Sequence, residues 1–249
     1  MRKMVKAKWV VKIPVESKIM VSKGAEVEEG DILLKSSIGK VVNIDVAKYF
    51  SKMSKEEIEE VEKSMVGRIW ETGEEMWKGG SFLKKKKLLA PGKGKVLGMD
   101  EFGNILFGLL DEEIVIKSPV KAKFIKEEEE KLFLEFKARE YKGEAKVMGK
   151  TWGKMKSRVI GRLFDLDKDC EGAIIRVEGV DSYFWRKAEA VGVKGILVKQ
   201  GLEIEVGTEL PVMELNDFEW EALGGEMEDK DEVRALLNSK AGRLLLVLE

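Results

Sequence analysis

The stretch "VSKGAEVEEGDILLKSSIGKV", residues 21–41, places its apolar and turn residues in steps of three: Val21, Gly24, Val27, Gly30 and Leu33. The same frame returns in "WETGEEMWKGGSFL" as Trp70, Gly73, Met76, Gly79 and Phe82, each displaced by 49 positions. A second shared element follows each copy. It is "GKVVNID" in the first, with Gly39, Lys40, Val41 and Asp45, and "GKVLGMD" in the second, with Gly94, Lys95, Val96 and Asp100. Glycine supplies positive φ or close backbone approach at sharp corners. Corners this close together leave room only for very short strands, so the frame predicts a small barrel or sandwich of two similar halves. Between the copies, Ser54 and Glu57 form a capping-box signature. Ile58, Val61 and Met65 then recur at helical spacing before Gly67, which predicts a short helix over 54–66.

The pattern V-x-x-G-x-x-V-x-x-G-D-x-L, Val21 to Leu33, resembles the signature of biotinyl/lipoyl-type barrel-sandwich hybrid domains. "LLAPGKGKVLGMD" is similar to that family's A-P-x-x-G-x-V strand. The resemblance implies a barrel-sandwich hybrid over residues 1–117, with the helix inserted. Such hybrids occur in carrier domains, membrane-fusion adaptors, subunits of ion-translocating oxidoreductases and RNA polymerase large subunits. In carriers, a lysine in a tight hairpin receives lipoyl or biotinyl, which makes Lys40 the candidate attachment point here. The local sequence departs from that pattern. Gly39 replaces the usual acidic residue, Val41 replaces alanine, and Lys95 repeats the lysine in the second half. Lys40 is therefore read as a lysine on a structural turn, and no cofactor is expected.

Residues 118–160 alternate with period two: Val120, Ala122 and Phe124, then Leu132, Leu134 and Phe136. This predicts antiparallel strands joined by a charged hairpin at "KEEEEK". "GEAKVMGKT" imitates a phosphate-binding loop but has five residues between its glycines where four are required, and "EAKVM" reads as a strand. "DLDKD", Asp165 to Asp169, imitates a calcium loop, but Cys170 stands where the turn glycine belongs and Arg176 where the bidentate glutamate belongs.

The remaining segment, 161–249, predicts an α/β unit. "GAIIRVEG" and "VKGILVKQ" read as parallel strands around a helix that starts at Ser182 and ends at Gly192. "ELPVMEL" reads as a third strand, "KDEVRALLNSKAG" as a second helix closed by Gly242, and "RLLLVLE" as a last strand. This order resembles swivelling β/β/α domains, the protease-associated domain above all, through Gly172, Ile174, Val177, Phe184, Lys187, Ala188, Gly192, Gly195 and Pro211.

Composition narrows the function. The chain of 249 residues contains no histidine and one cysteine. Histidine-based nucleophile systems and most soft-metal sites are excluded, as is an internal disulfide. Its 45 basic and 46 acidic residues create no global field. No apolar run reaches the roughly 18–20 residues of a membrane span, so a soluble cytoplasmic protein with no membrane partner is expected. The expected role is that of a non-enzymatic scaffold binding an unknown protein partner, in an unassigned oligomeric state. Two alternatives stand beside it: a carrier modified on Lys40, which the resemblance implies, and a nucleic-acid- or transcription-associated protein using Lys84, Lys85, Lys86 and Lys87 beside Trp77 and Phe82. Four like charges in a neutral chain favour a solvated loop over the latter.

Overall fold

The computed structural model describes residues 3–50, 53–81, 84–100, 102–110, 113–178, 183–201 and 207–248. The chain opens with β1 (Met4–Lys12), β2 (Ser17–Ile19), β3 (Glu26–Val27), β4 (Ile32–Ser36) and β5 (Lys40–Ile44). Gly24 and Gly30, at φ 85° and 89°, turn the corners on either side of β3. After α1 (Ala47–Phe50) comes α2 (Lys55–Met65), whose capping box forms: Ser54 Oγ accepts from Glu57 N at 3.2 Å, and Ser54 N donates to the Glu57 carboxylate at 2.7 Å. Next are β6 (Ile69–Trp70), β7 (Glu75–Ser81), β8 (Lys84–Leu89), β9 (Gly94–Met99), β10 (Ile105–Leu109) and β11 (Ile114–Lys117). The predicted hairpin is β12 (Ala122–Glu128) and β13 (Lys131–Lys142). Its two turn residues, Glu129 and Glu130, hold φ of 48° and 57°, the left-handed region that two-residue hairpins use. The last part contains β14 (Glu144–Val147), β15 (Lys150–Ile160), β16 (Ala173–Val177), α3 (Phe184–Val191), β17 (Gly195–Lys199) and β18 (Val212–Leu215). It ends with α4 (Asp217–Met227), β19 (Glu232–Asn238) and β20 (Arg243–Leu246).

In the second element of the repeat, β5 and β9 flank β10 in one four-stranded sheet but out of step: Lys40 lies opposite Leu109 and Lys95 opposite Gly108, and Val41 is exposed where Val96 is buried. The two glycine-cornered frames pack apart. Val27 and Leu33 enter a core with β1, β12 and β13, whereas Trp70 and Met76 enter one with Phe50, Met65, Val96 and Phe107. The cause is pairing. Val27 and Glu26 add to β12, while β7 pairs with β8 in a separate two-stranded ribbon. Gly79 lies inside β7, where its missing side chain makes room for the Trp77 indole. Phe82 lies outside the described residues.

The large sheet contains eleven strands and takes members from all three predicted segments. Its order is β14-β18-β17-β16-β15-β19-β20-β13-β12-β3, with β1 also on β13. β13 and β14 are separated in the chain only by Gly143, so the path from β14 to β13 returns on itself and closes a barrel. Every barrel strand except β14 sends apolar side chains to one interior cluster, among them Tyr141, Met155, Ile174, Leu197, Met213, Leu237 and Leu244. Trp220, Leu223 and Met227 of α4 close that cluster. On the outside, α3 covers Ile175, Val177, Ile196 and Val198 through Phe184, Trp185 and Ala188. At the seam two glycine backbones meet: Gly143 N donates to Gly242 O at 3.1 Å. A Cβ on Gly143 would collide with the carbonyl of Glu214.

The α/β reading holds for β16, α3, β17 and β18, whose strands pair in parallel, and for Gly192, which ends α3 in the left-handed conformation at φ 87°. Ser182 lies outside the described residues. One element is corrected: "KDEVRALLNSKAG" forms β19, followed by a single 3-10 turn at Ser239–Ala241. Val233, Ala235 and Leu237 face the barrel interior and Leu236 faces out. Pairing with β15 and β20 overrides the helix preference of alanine and leucine. The second helix is α4, capped by Asn216, whose side-chain oxygen accepts from Glu219 N at 2.9 Å. Its Gly224 leaves space for Arg176, a buried guanidinium that donates to Ser157 O at 2.6 Å and lies over Trp220.

Gly143→Ala is expected to destabilise the protein by about 1–3 kcal/mol through overpacking at the seam. Urea unfolding measures it, and a midpoint equal to that of the parent would contradict barrel closure. A second expectation concerns acid. Glu232 sits between Lys154 and Lys156, and hydrogen bonds from both lower its carboxyl from 4.5 to about 2. A depressed carboxyl stabilises the fold above its unfolded value, and that stabilisation fades as pH falls from 4.5 towards about 2. Glu232→Gln should therefore flatten the fall of Tm across that window; an identical pH profile would show that the clamp contributes nothing.

Candidate functional site

β13 alternates as far as Ala138. Leu132, Leu134, Phe136 and Ala138 are buried in a core shared with Ala7 and Val11 of β1 and with Ala122 and Phe124 of β12. The other face carries Lys131, Phe133, Glu135 and Lys137, then Arg139 and Tyr141. From Arg139 onward this face turns into the barrel. Arg139 pairs with Glu226 of α4, and Tyr141 joins the interior cluster. Before Arg139 the face carries exposed and half-buried side chains.

Register lays out this uncovered part across three strands. Lys6 of β1 lies opposite Lys137. The next row is Lys8, Glu135 and Lys123, followed by Val10, Phe133 and Lys126, then Lys12, Lys131 and Glu128. Residues directly opposite in an antiparallel ladder point to the same side, so seven lysines from β1, β12 and β13 share one surface with two carboxylates. The resulting formal charge of +5 sits on a chain whose total is −1. Lys6, Lys8, Lys12, Lys123, Lys126 and Lys137 are exposed, while Lys131 and Phe133 are half-buried.

The carboxylates are already engaged. Lys6 Nζ lies 3.0 Å from Glu135, and Lys126 pairs with Glu128. The hydrogen bond from Lys126 holds the Glu128 carboxyl below its usual range, assisted by the charges of Lys126 and Lys131. Lys131 reaches Glu129 at 3.6 Å. Lys126 Nζ also stands over the Phe133 ring, 5.1 Å from its centroid. Among the described residues Lys8, Lys12, Lys123 and Lys137 form no ion pair. The arrangement presents cations around an aromatic ring, groups suited to holding an anion by charge.

The residues singled out from sequence lie elsewhere. Lys40 opens β5, exposed and opposite Leu109, and the turn before it joins β4 to a strand of a different sheet. Lys95 pairs with Glu16. Lys84, Lys85, Lys86 and Lys87 form most of strand β8 where a loop was expected, and Lys87 bonds Glu75 at 2.6 Å. Lys86 is exposed, and the side chains of Lys84 and Lys85 lie outside the description. "DLDKD" folds as two 3-10 turns in which Asp165 and Asp167 accept from backbone N–H groups, and no metal-ligand cluster occurs among the described residues.

Sequence reading passed over the lysine face because its charges are scattered between positions 6 and 137. The available signal was alternation: Lys6, Lys8, Val10, Lys12 on one segment and Lys131, Phe133, Glu135, Lys137 on another.

No family model matches the chain, and no curated protein matches it. Among solved structures it is similar to a UPF0107 protein studied by NMR in solution, at 20% identity, covering 44% of this chain and 99% of that one, with a TM-score of 0.35. It is also similar to an aminopeptidase from Aneurinibacillus sp. strain AM-1, at 14% identity, covering 45% of this chain and 28% of that one, with a TM-score of 0.29. Likenesses this slight leave function to be argued from the residues themselves.

Proposed function

We propose that the protein is a non-enzymatic binding protein whose binding surface is the lysine face of β1, β13 and β12, and whose ligand is a polyanion. One observation carries this reading: seven lysines against two carboxylates on a single exposed sheet face of a nearly neutral chain. Concentrating one sign of charge on one face costs stability through self-repulsion. A surface serving only solubility would intersperse both signs. The chain also lacks histidine, which removes the commonest general base. The resemblances to barrel-sandwich hybrid and swivelling domains point the same way, since those modules commonly position ligands or partners.

Retention on immobilised heparin tests the reading. The parent should be held and elute with salt, and the triple variant Lys8→Glu, Lys12→Glu, Lys123→Glu should elute at much lower salt with an unchanged melting temperature. Equal elution of the two, or a shift produced instead by Lys78→Glu with Lys86→Glu in the β7–β8 ribbon, would count against this face.

A further inference from the structure

We propose that the polyanion held by this face is a single-stranded nucleic acid, with lysines on its phosphates and one base stacked on Phe133. The inference rests on the binding reading above and specifies its ligand.

Electrostatics alone would need no ring. Yet Phe133 occupies the central strand, in the row between Val10 and Lys126, with lysines in the rows on both sides. Its two buried neighbours, Leu132 and Leu134, supply the core contacts of this part of β13, so Phe133 is free to serve the outer surface. Lysines at alternate positions of a strand stand about 7 Å apart, and adjacent strands about 4.8 Å apart. Cations flank the ring on all three strands, so the phosphates on either side of a stacked base meet Lys8 or Lys123 in one row and Lys12 or Lys131 in the other. A polyanion that also carries flat aromatic groups is the ligand that uses both features, because every base has a face to stack and every linkage a charge to neutralise.

Lys126 supplies the exchange. Its ammonium now lies over the Phe133 ring and against Glu128. A lysine stem is flexible and its head is readily rehydrated. When a phosphate takes the ammonium, the ring face opens to the neighbouring base. A duplex keeps its base faces inside the stack and offers Phe133 nothing. An anionic membrane would be served by apolar side chains standing above the lysines, whereas Phe133 is half-buried among them. Among the described residues β1 pairs with no strand but β13, so its other edge carries no ladder.

Fluorescence anisotropy with a labelled oligothymidylate of about 12 nucleotides tests the proposal. Affinity should fall steeply from about 50 to about 200 mM salt, and each lysine removed, as in Lys8→Ala or Lys123→Ala, should reduce the log–log slope by about 0.7. Phe133→Leu keeps an apolar side chain but removes the ring. It should weaken binding roughly 5- to 150-fold with the slope unchanged, and Phe133→Tyr should restore it. Melting curves confirm that each variant folds. If Phe133→Leu binds like the parent, or if a duplex of the same length or phosphatidylserine vesicles bind equally well, the single-strand assignment fails while the polyanion reading stands. If neither heparin nor the oligonucleotide is bound, both fail.

Discussion

Closure of the barrel at the Gly143–Gly242 seam is the constraint from which the remaining architecture follows. Two backbones approach there with no side chain between them, and β13 becomes continuous with β14 through one residue. That single bend lets one stretch of chain pair with β20 on one side and β18 on the other. Closing the ring gives Tyr141, Met155, Ile174, Leu197 and Leu244 a common interior, and each large side chain buried there is worth about 1.5–3 kcal/mol. α4 then has one place to lie, over the open end of that interior.

The same strand explains why a charged surface exists beside a closed core. β13 is longer than the barrel needs. Its last four residues, from Arg139, supply the barrel wall, and the longer part before them extends beyond it to carry β1 and β12. The inward-facing side of the wall therefore continues as an outward-facing side once the barrel ends. Arg139, held by Glu226, marks the changeover. Core and lysine face are two sides of one alternating stretch, with Leu132, Leu134, Phe136 and Ala138 on one side and Lys131, Phe133, Glu135 and Lys137 on the other.

Local rules were legible in the sequence where they act alone. The Ser54–Glu57 capping box, the left-handed Gly192, the alternation of 118–136 and the parallel strands around α3 all formed as their residues dictate. Elements decided by partners distant in sequence were not legible. "EVRALLN" contains good helix formers and becomes β19 because β15 and β20 lie on either side of it. "DFEWEALGGEM" becomes α4 despite Gly224 and Gly225, since Asn216 caps it and the barrel mouth takes Trp220 and Leu223. The glycine frame is a true repeat in sequence, yet its copies serve different cores because β3 finds a partner in β12. The lysine face was hidden for the same reason: register across 131 positions assembles it, and no window of sequence contains it.

Cross-strand nuclear Overhauser contacts in the intact protein test the closed barrel most directly. Closure requires contacts between Ala145 and Met213 and between Tyr141 and Leu244 in the same folded species. Observation of both sets, with slow amide exchange at Gly143, is the expected result. A spectrum showing one pairing without the other would mean an open sheet and would contradict the account.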